Sequence, residues 1–353
     1  MSKIRTAILR NESDESKLKW IYSCEKYRDE IDCSIIDITK QDWLDQVLSV
    51  NPDILLTIPG GLTAPFKQLY DERLTILVKE LGFMAFPTLD EVLIYENKRY
   101  LAYWLAANKI PHPGTYVFYY KNEAFDFLKR AKYPLIGKVN IGASGSGVTI
   151  LKNNDQAIKY VNSTFSGSGA FKRTGPNFQK KYILGRGFQY ILHPSRIDKK
   201  LAIYKARSSD IQKDFVLLQE FVPHDFEWRV IRMGDSFFAH KKVKIGEKAS
   251  GSLIKRYDNP PVKIFDFVKN LTDRFGFYTI AIDIFESDEC YLVNEMQCIF
   301  GQSDSYQMLV DSKPGRYLNK HEGWYFEEGD YNTNESFDLR LQTAIDLFKN
   351  NNT

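Results

Sequence analysis

Short apolar runs alternate with stretches of helical spacing over the first 95 residues. Runs at 4–9, 33–38 and 53–58 are rich in β-branched residues and bounded by turn residues, which predicts strands. Apolar spacing at 16–27 and 66–81 predicts helices between and after these strands. Strands that alternate with helices are typical of a mostly parallel sheet, so this segment is predicted to form an α/β lobe.

The pattern changes after residue 95. A helix is predicted at 97–108, and it must end before Pro111 and Pro113 because proline cannot continue helical hydrogen bonding. Further strands are predicted at 115–119, 134–139 and 148–151, and a helix at 123–131 with Asn122 as its N-cap. The Gly-, Ser- and Lys-rich stretch 163–187 predicts a long mobile insertion.

Strand patterns dominate from about residue 200 onward. Strands are predicted at 201–206, 215–222, 228–233, 236–243, 278–286 and 290–298, and helices at 262–275 and 336–349. Runs of strands covered by few helices indicate an α+β arrangement, in contrast to the first 95 residues.

Composition limits the class of protein. The chain has 353 residues, 43% of them hydrophobic, which suffices for two or three lobes with a sizeable core. Its 48 basic and 45 acidic residues nearly balance, whereas nucleic-acid binders usually carry a concentrated basic face. The four cysteines and five histidines show no metal-site spacing. Without a signal-peptide pattern or an apolar run near the roughly 20 residues of a membrane helix, we expect a soluble, cytoplasmic protein with no nucleic-acid or membrane partner.

The strands at 278–286 and 290–298 carry the sharpest candidate site. The isoleucines at positions 280, 282 and 284 alternate, so they are expected to face the core and to leave Asp283 on the opposite face. On the second strand, Glu295 and Gln297 share one face because they are two residues apart.

A three-residue connection at 287–289 would set Asp283 opposite Val293 and diagonal to Glu295. Diagonal neighbours lie about 7–8 Å apart at Cα, close enough for both carboxylates to bind one metal ion. Two carboxylates and an amide carbonyl are hard oxygen ligands that suit Mg²⁺ bridging phosphates. Acidic side chains that merely face water are the alternative interpretation.

A lysine meets a glycine-rich loop at 133–148. Lys138 ends an apolar strand, and the following loop contains Gly142, Gly145 and Gly147. Glycines let the backbone approach an anion closely, and the lysine adds a charge for phosphate oxygens. The pattern is neither a Walker A motif nor a Rossmann fingerprint, and a flexible surface turn is the alternative.

A third motif follows the strand that breaks at 219–222, where Pro223 prevents its continuation. A broken strand exposes backbone groups that can pair with the edge of a planar base. Glu227 and Arg229 come shortly afterwards, and the next strand carries Lys242. A plain β-hairpin with charged outward residues is the alternative.

Taken in order, these motifs resemble the ATP-grasp superfamily, most closely the RimK-type carboxylate–amine ligases and more distantly the D-alanine–D-alanine ligases. The resemblance runs from about 97 to 301 and includes Asn97-Lys98 and the turn IPHPGT. It implies an N-terminal pre-ATP-grasp α/β lobe at 1–95, followed by a two-subdomain ATP-grasp fold. The central subdomain would span 96–218, with the insertion near 163–187, and a C-terminal subdomain at 219–353 would carry the metal site.

The resemblance also implies roles for single residues. Lysines and a covering loop would bind the phosphates, main-chain atoms of Gln219 and Val222 would bind adenine, and Glu227 would hold the ribose. The full ATP-binding set would be Lys98, Lys138, Gly142, Ser144, Gly145, Gly147, Gln219, Glu220, Val222 and Glu227. The metal set would be Asp283, Glu295 and Gln297. Arg229 and Lys242 would act in catalysis near the transferred phosphate.

The implied function is that of an ADP-forming ligase that uses ATP and Mg²⁺, with Mn²⁺ as a substitute. It would activate a carboxylate as an acylphosphate and couple it to an amine. Small-molecule, peptide or glycan-precursor substrates would fit, and homo-oligomer formation stays open. A kinase of the same fold that phosphorylates a hydroxyl, or a non-catalytic nucleotide-binding regulator, is the alternative.

Three departures from the family pattern lie on the acceptor side. Gln297 replaces the usual asparagine, the following tail reads CIFGQSD, and the segment 246–256 lacks the Arg-x-Asn of RimK-type proteins. The identity of the acceptor is therefore not predicted from the sequence.

Overall fold

The structure, a computed structural model, describes residues 3–13, 17–142, 147–170, 201, 203, 205–206, 208–245, 248–249, 254–287, 290–302 and 304–352. Within these residues the strands form three sheets, one parallel and two antiparallel. None of the helices in the described part is long and apolar enough to span a membrane.

The first sheet is parallel, with the strand order β2-β1-β3-β4. Its strands are β1 (Ile4–Arg10), β2 (Ile31–Asp37), β3 (Ile54–Thr57) and β4 (Met84–Phe86). Its helices are α1 (Leu18–Lys26), α2 (Trp43–Val50), α3 (Ala64–Thr75, continued by a π-helical turn at Ile76–Glu80) and α4 (Leu89–Ile94). Every residue of β3 is buried, as expected for a parallel strand covered on both faces. The predicted α/β lobe is confirmed.

The second sheet is antiparallel, with the order β5-β8-β6-β7. Its strands are β5 (Thr115–Phe118), β6 (Leu135–Lys138), β7 (Val148–Leu151) and β8 (Val216–Glu220). The neighbouring helices are α5 (Lys98–Ala107), α6 (Lys121–Leu128) and α7 (Asn154–Thr164). The apolar faces of α6 and α7 pack on this sheet, where Leu128 and Val161 join Leu135 and Val216 in one core.

Two local predictions in this region are wrong. Asn122 lies inside the first turn of α6 rather than at its N-cap, because the helix already begins at Lys121. The run 201–206 was predicted as a strand, but Leu201, Ile203, Lys205 and Ala206 are helical. Its apolar alternation is too short to distinguish a strand from a helix. Most of the predicted mobile insertion, 171–187, lies outside the described residues.

The third sheet is the largest and is antiparallel, with β14-β13-β9-β10-β16-β15 as its main path. Its strands are β9 (Phe226–Met233), β10 (Ser236–Ile245), β11 (Lys248–Ala249), β12 (Lys255–Arg256), β13 (Thr279–Glu286), β14 (Tyr291–Gln297), β15 (Leu309–Val310), β16 (Lys313–Lys320) and β17 (Gly323–Glu328). Helix α8 (Val262–Phe275) has the predicted bounds, and Phe265 and Val268 on its apolar face pack against this sheet. Hydrophobic periodicity predicts no element at 309–328, where β15 to β17 lie.

The last helix, α9 (Phe337–Asn351), packs its apolar residues into the core of the first sheet. It also contacts β9 of the third sheet, and its Leu339 packs against the core of that sheet. The rings of Trp20 and Phe337 meet edge to face with their centroids 4.9 Å apart. Asp338 accepts hydrogen bonds from Ser23 Oγ at 2.7 Å and from Lys26 Nζ at 2.8 Å. The C-terminal part of the chain therefore completes the core of the N-terminal lobe.

Candidate functional site

Asp283 and Glu295 lie directly opposite each other on β13 and β14. The predicted common face of the two carboxylates is therefore present, but the predicted pairing is wrong. Val293 lies opposite Ile284, one residue away from the position that a three-residue connection would give it.

The alignment depends on a bulge in β14. Glu286 pairs with Tyr291, so the connection is residues 287–290 and has four residues. That register alone would pair Asp283 with Asn294 and turn Glu295 to the other face. One extra residue in β14 shifts the register between Asp283 and Ile284 and brings the two carboxylates together.

Asp283 is held by two cations. Its side chain is buried, and it accepts hydrogen bonds from Arg229 Nε at 2.8 Å, Arg229 Nη2 at 3.0 Å and Lys242 Nζ at 2.6 Å. Burial alone favours the neutral acid, but the Arg229 and Lys242 charges outweigh it and hold the pKa of Asp283 well below its usual range. The carboxylate is therefore ionised at neutral pH.

Glu227 belongs to the same buried network. Lys242 Nζ donates to its Oε2 at 2.7 Å, and Asn294 Nδ2 donates to its Oε1 at 3.1 Å. Asn294 Oδ1 accepts in turn from Lys138 Nζ at 3.0 Å. A ribose hydroxyl could bind the Glu227 carboxylate only by sharing or displacing these hydrogen bonds.

The two lysines predicted to bind phosphates reach the site from different elements. Lys98 begins α5, and its Nζ donates to Gly142 O at 2.6 Å and lies 3.8 Å from Glu295 Oε1. Lys138 ends β6. Burial lowers the pKa of Lys138 to about 8, because nearby carboxylates only partly offset the loss of solvent.

The loop after β6 returns close to its own strand. Val139 N donates to Gly147 O at 2.9 Å, and a Cβ on Gly147 would lie 2.1 Å from Val139 Cγ2. Only glycine fits this return without displacing Val139. Ser144 and Gly145, the predicted phosphate-covering residues between Gly142 and Gly147, lie outside the described residues.

Gln297 lies between a cation and a carboxylate. Its Oε1 accepts from Arg229 Nη2 at 3.1 Å, and its Nε2 donates to Glu96 Oε1 at 3.0 Å. Glu96 is 5% exposed, and its Oε2 lies 3.6 Å from Lys98 Nζ. Burial raises the pKa of Glu96, while the Lys98 charge opposes that shift.

Sequence reasoning missed both Glu96 and Asn294. Strict strand alternation assigns Asn294 to the face opposite Glu295, and only the bulge turns it toward Lys138. Glu96 stands two residues before Lys98, and that position next to the lysine was the available signal.

The predicted adenine segment is only partly available. Gln219 lies within β8 between β5 and β6, so its main-chain groups face another strand and do not reach a base, which corrects the prediction. Glu220 N donates to Gly114 O at 2.8 Å, and Val222 O accepts from His224 Nδ1 at 2.7 Å. The main chain is no longer paired as a strand after Glu220.

A cavity of about 260 Å³ lies next to this segment. It is lined by Pro134, Ile150, Lys152, Phe221 and Lys244. Apolar and aromatic walls with a few polar groups are typical of sites for planar ligands. The cavity therefore combines apolar and aromatic walls with two lysine side chains.

A further polar cluster is formed by β12 and the segment that follows β14. Lys255 is the cross-strand partner of Lys242, and its Nζ lies 3.3 Å from Asp304 Oδ2. Tyr257 donates its hydroxyl to the same carboxylate, and Gln302 Nε2 donates to the Tyr257 hydroxyl at 3.1 Å. We call these four residues, Lys255, Tyr257, Gln302 and Asp304, the Asp304 cluster.

His240 lies between the Asp304 cluster and Arg229. It pairs with Arg229 across β9 and β10, and its ring centroid is 5.6 Å from that of Tyr257. Burial, together with the Arg229 charge, lowers the pKa of His240 to about 3. The imidazole is therefore neutral and adds no charge to the site.

The predicted metal ligands fit Mg²⁺ in their chemistry. Within the residues described, no group of three or more His, Cys, Asp or Glu side chains could hold a metal ion by itself. Asp283, Glu295 and Gln297 supply hard oxygens, and Mg²⁺ typically takes one or two carboxylates and completes its shell with phosphate and water. Glu295 makes no side-chain hydrogen bond to any described residue, so its oxygens are available.

Comparison with known proteins identifies the fold. No protein-family model matches the chain. The chain is 24% identical over 233 residues to the alpha-aminoadipate–LysW ligase LysX of Saccharolobus solfataricus, which covers 63% of this chain and 68% of that protein. A D-alanine–D-alanine ligase from Bacillus anthracis matches with a TM-score of 0.54 at 13% identity, over 99% of each chain.

A second solved structure gives the same result. The D-alanyl-alanine synthetase A from Vibrio cholerae matches with a TM-score of 0.55 at 13% identity, over 99% of this chain and 100% of that one. At this identity the similarity is one of fold. The chain therefore has the ATP-grasp fold of the ligases it matches, with a parallel N-terminal sheet and two antiparallel sheets.

Proposed function

We propose that the chain is an ADP-forming ATP-grasp ligase, which activates a substrate carboxylate as an acylphosphate and couples it to an amine or similar nucleophile. The observation that carries this proposal is the convergence of four cations around the Asp283–Glu295 pair: Lys98, Lys138, Arg229 and Lys242. Several cations that converge on one site suit the negative charge of a triphosphate and a carboxylate.

ATP would bind between the second and third sheets. The base would enter the cavity beside Phe221, and the phosphates would meet Lys98 and Lys138 under the 142–147 loop. Asp283, Glu295 and Gln297 would hold Mg²⁺, or Mn²⁺ in its place, and the ion would reduce the negative charge that the attacking carboxylate meets.

The chemistry then needs no protein nucleophile. A carboxylate oxygen attacks the γ-phosphorus, and ADP leaves. The amine nitrogen attacks the carbonyl carbon of the acylphosphate, inorganic phosphate leaves, and the amine proton passes to water. Arg229 Nη1 makes no hydrogen bond within the described residues, so it is available to stabilise the oxyanion of the tetrahedral intermediate. Lys242, which contacts Asp283 and Glu227, would hold both carboxylates in place.

A hydroxylamine trap tests the proposal. The protein, Mg-ATP, pooled carboxylates and hydroxylamine should yield a hydroxamate and ADP, and an Asp283→Asn variant should yield neither above background. Transfer of labelled γ-phosphate to an acid-stable product without hydroxamate would identify a kinase and overturn the ligase. No ATP consumption with any substrate would identify a nucleotide-binding regulator.

We also propose the division of the chain into an N-terminal lobe at 1–95, a central subdomain at 96–218 and a C-terminal subdomain at 219–353. The three sheets support it, although α9 packs on the first lobe. Substrates would be a small-molecule, peptide or glycan-precursor carboxylate and amine, and homo-oligomer formation would be compatible with this role. The four free cysteines favour a reducing compartment such as the cytoplasm.

A further inference from the structure

Glu96 lies between the nucleotide-side lysine and the metal-side amide. It is buried, and its backbone φ of 51° lies in the left-handed region, which residues other than glycine rarely adopt. Such a conformation costs free energy and persists only where the surroundings require it. It occurs immediately before α5 and lets both Glu96 and Lys98 reach the same site.

The contacts of Gln297 fix the orientation of its amide. Glu96 can only accept hydrogen bonds, so the NH₂ group of Gln297 must face it. Arg229 can only donate, so the carbonyl oxygen of Gln297 must face Arg229. The two neighbours agree, and together they direct the carbonyl oxygen toward the face that carries Asp283 and Glu295.

The length of Gln297 makes an anchor necessary. Glutamine has one more rotatable bond than the asparagine usual at this position, and fixing a longer side chain costs more conformational entropy. Without a partner for its NH₂ group, the amide could rotate and present a donor where a cation needs an oxygen. Glu96 removes that freedom through one hydrogen bond.

We propose that Glu96 is a positioning residue of the metal site, which holds the Gln297 carbonyl oxygen toward the cation and keeps the Lys98 ammonium beside it. This inference rests on the proposed function, because it assumes that Asp283, Glu295 and Gln297 bind the metal. It assigns Glu96 no direct contact with the ion. Its Oε2 has no hydrogen-bond partner in the described part of the chain and faces Lys98 at 3.6 Å.

The test measures Mn²⁺ binding in the presence of ADP, with free Mn²⁺ determined by electron paramagnetic resonance. Glu96→Gln is expected to weaken Mn²⁺ binding about 10- to 100-fold, the usual effect of losing a partner of a metal ligand. A glutamine side chain both donates and accepts, so it no longer selects one orientation of Gln297. Urea unfolding of each variant reports whether the fold is retained.

A swapped pair provides the readout that a merely structural role would not give. Gln297→Glu alone sets two carboxylates against each other, and it too should bind Mn²⁺ more weakly than the parent protein. In the double variant Glu96→Gln/Gln297→Glu, the introduced amide donates to the introduced carboxylate. Binding should then recover by about tenfold or more relative to Glu96→Gln.

Each remaining outcome overturns the inference in a distinguishable way. If Glu295→Gln weakens Mn²⁺ binding and Glu96→Gln does not, the inference fails while the metal site stands. If Glu96→Gln is as severe as Glu295→Gln and the swap gives no recovery, Glu96 is itself a ligand or a purely structural residue. If neither Glu295→Gln nor Glu96→Gln changes Mn²⁺ binding, the proposed metal site fails together with the inference.

Discussion

The cations of the site form two groups that differ in what they touch. On the third sheet, Arg229 and Lys242 contact carboxylate oxygens of Asp283 and Glu227 at 2.6 to 3.0 Å. Asp283, Glu227 and Lys242 are buried and Arg229 is partly buried, and the four side chains form ion pairs with one another. We call them the paired group.

Lys98 and Lys138 come from other elements, and the nearest hydrogen-bond acceptor of each is a neutral oxygen. Lys98 donates to Gly142 O at 2.6 Å, and Lys138 donates to Asn294 Oδ1 at 3.0 Å. The pKa values follow the same division. Burial lowers the pKa of Lys138 to about 8, whereas burial at Lys242 is outweighed by Asp283 and Glu227, which raise its pKa.

The difference in pairing indicates that the two groups of side chains have different roles in the site. Charges that are paired inside the protein chiefly fix the geometry of a site, here the positions of Asp283 and Arg229. Charges with neutral partners keep most of their field available for phosphate oxygens. The two groups should therefore respond in opposite ways to substitution, the paired group in stability and the lysines in nucleotide affinity.

The largest expected effect follows Asp283→Asn, which leaves Arg229 and Lys242 buried without their shared carboxylate. The free energy of unfolding should fall by about 3 kcal/mol, because one partner of a buried ionic network is removed. Hydroxamate formation should fall at least about 100-fold. Urea unfolding and the trap assay measure these changes.

The matched control for that change is Asp126→Asn, which breaks an exposed pair with Lys129 and should cost under about 1 kcal/mol. Equal stability of the two variants would remove the distinction between the paired group and an ordinary surface pair.

Lys138→Met should affect affinity rather than stability. Loss of a charged hydrogen bond to phosphate should raise the Kd of a non-hydrolysable ATP analogue about 10- to 100-fold. The free energy of unfolding should change by less than about 1 kcal/mol, because the lysine has no carboxylate partner to abandon. Titration calorimetry and urea unfolding measure the two quantities, and Lys129→Met on α6 is the control. An unchanged Kd would contradict the proposed role of Lys138 in binding phosphate.

The pH dependence of binding should be smaller and should depend on the same residue. Lys138 loses its proton as the pH rises through about 8, so analogue affinity should fall between pH 7 and 9, at most about tenfold per pH unit. The unfolded lysine keeps its proton up to its ordinary pKa of 10.5, so the Lys138 contribution to stability should rise from pH 8 to 10.5. Calorimetry over this range checks the affinity. A slope that persists in Lys138→Met would assign the proton to another group.

The smallest effect is expected in the Asp304 cluster, which we propose faces the amine, because Lys255 lies 3.3 Å from a carboxylate that is partly exposed. Asp304→Asn should raise the KM of the amine about three- to tenfold, because it loosens Lys255 and Tyr257. The Kd of the ATP analogue should stay the same. Steady-state ADP release at varied amine checks the KM. A change in the Kd of the ATP analogue without a change in the KM of the amine would instead indicate that the Asp304 cluster binds the nucleotide.

The fold was predicted best where local pattern and tertiary packing agree. Helix α8 has the predicted bounds, because its apolar periodicity is also the face that it buries. Strand β7 has the predicted bounds as well. The helical residues near 201 and the strands at 309–328 were missed, since their patterns are short and their state depends on distant partners.

The candidate site shows the same limit at the level of single residues. The common face of Asp283 and Glu295 was predicted, but the bulge that produces it depends on pairing that no local pattern encodes. Glu96 was missed because its partner Gln297 lies 201 residues further along the chain. The residue types of the candidate site could be predicted from motifs, whereas the contacts that orient their side chains could not.

Helix α9 has a consequence for how the chain folds during its synthesis. Trp20 and β1 belong to a core to which α9 contributes Phe337, Leu341 and Ile345. At the ribosomal rate of about 5–20 residues per second, these residues emerge on the order of tens of seconds after the lobe they cover. During that interval the apolar face that α9 covers is exposed to solvent. The N-terminal lobe is therefore expected to bind chaperones until α9 has been synthesised.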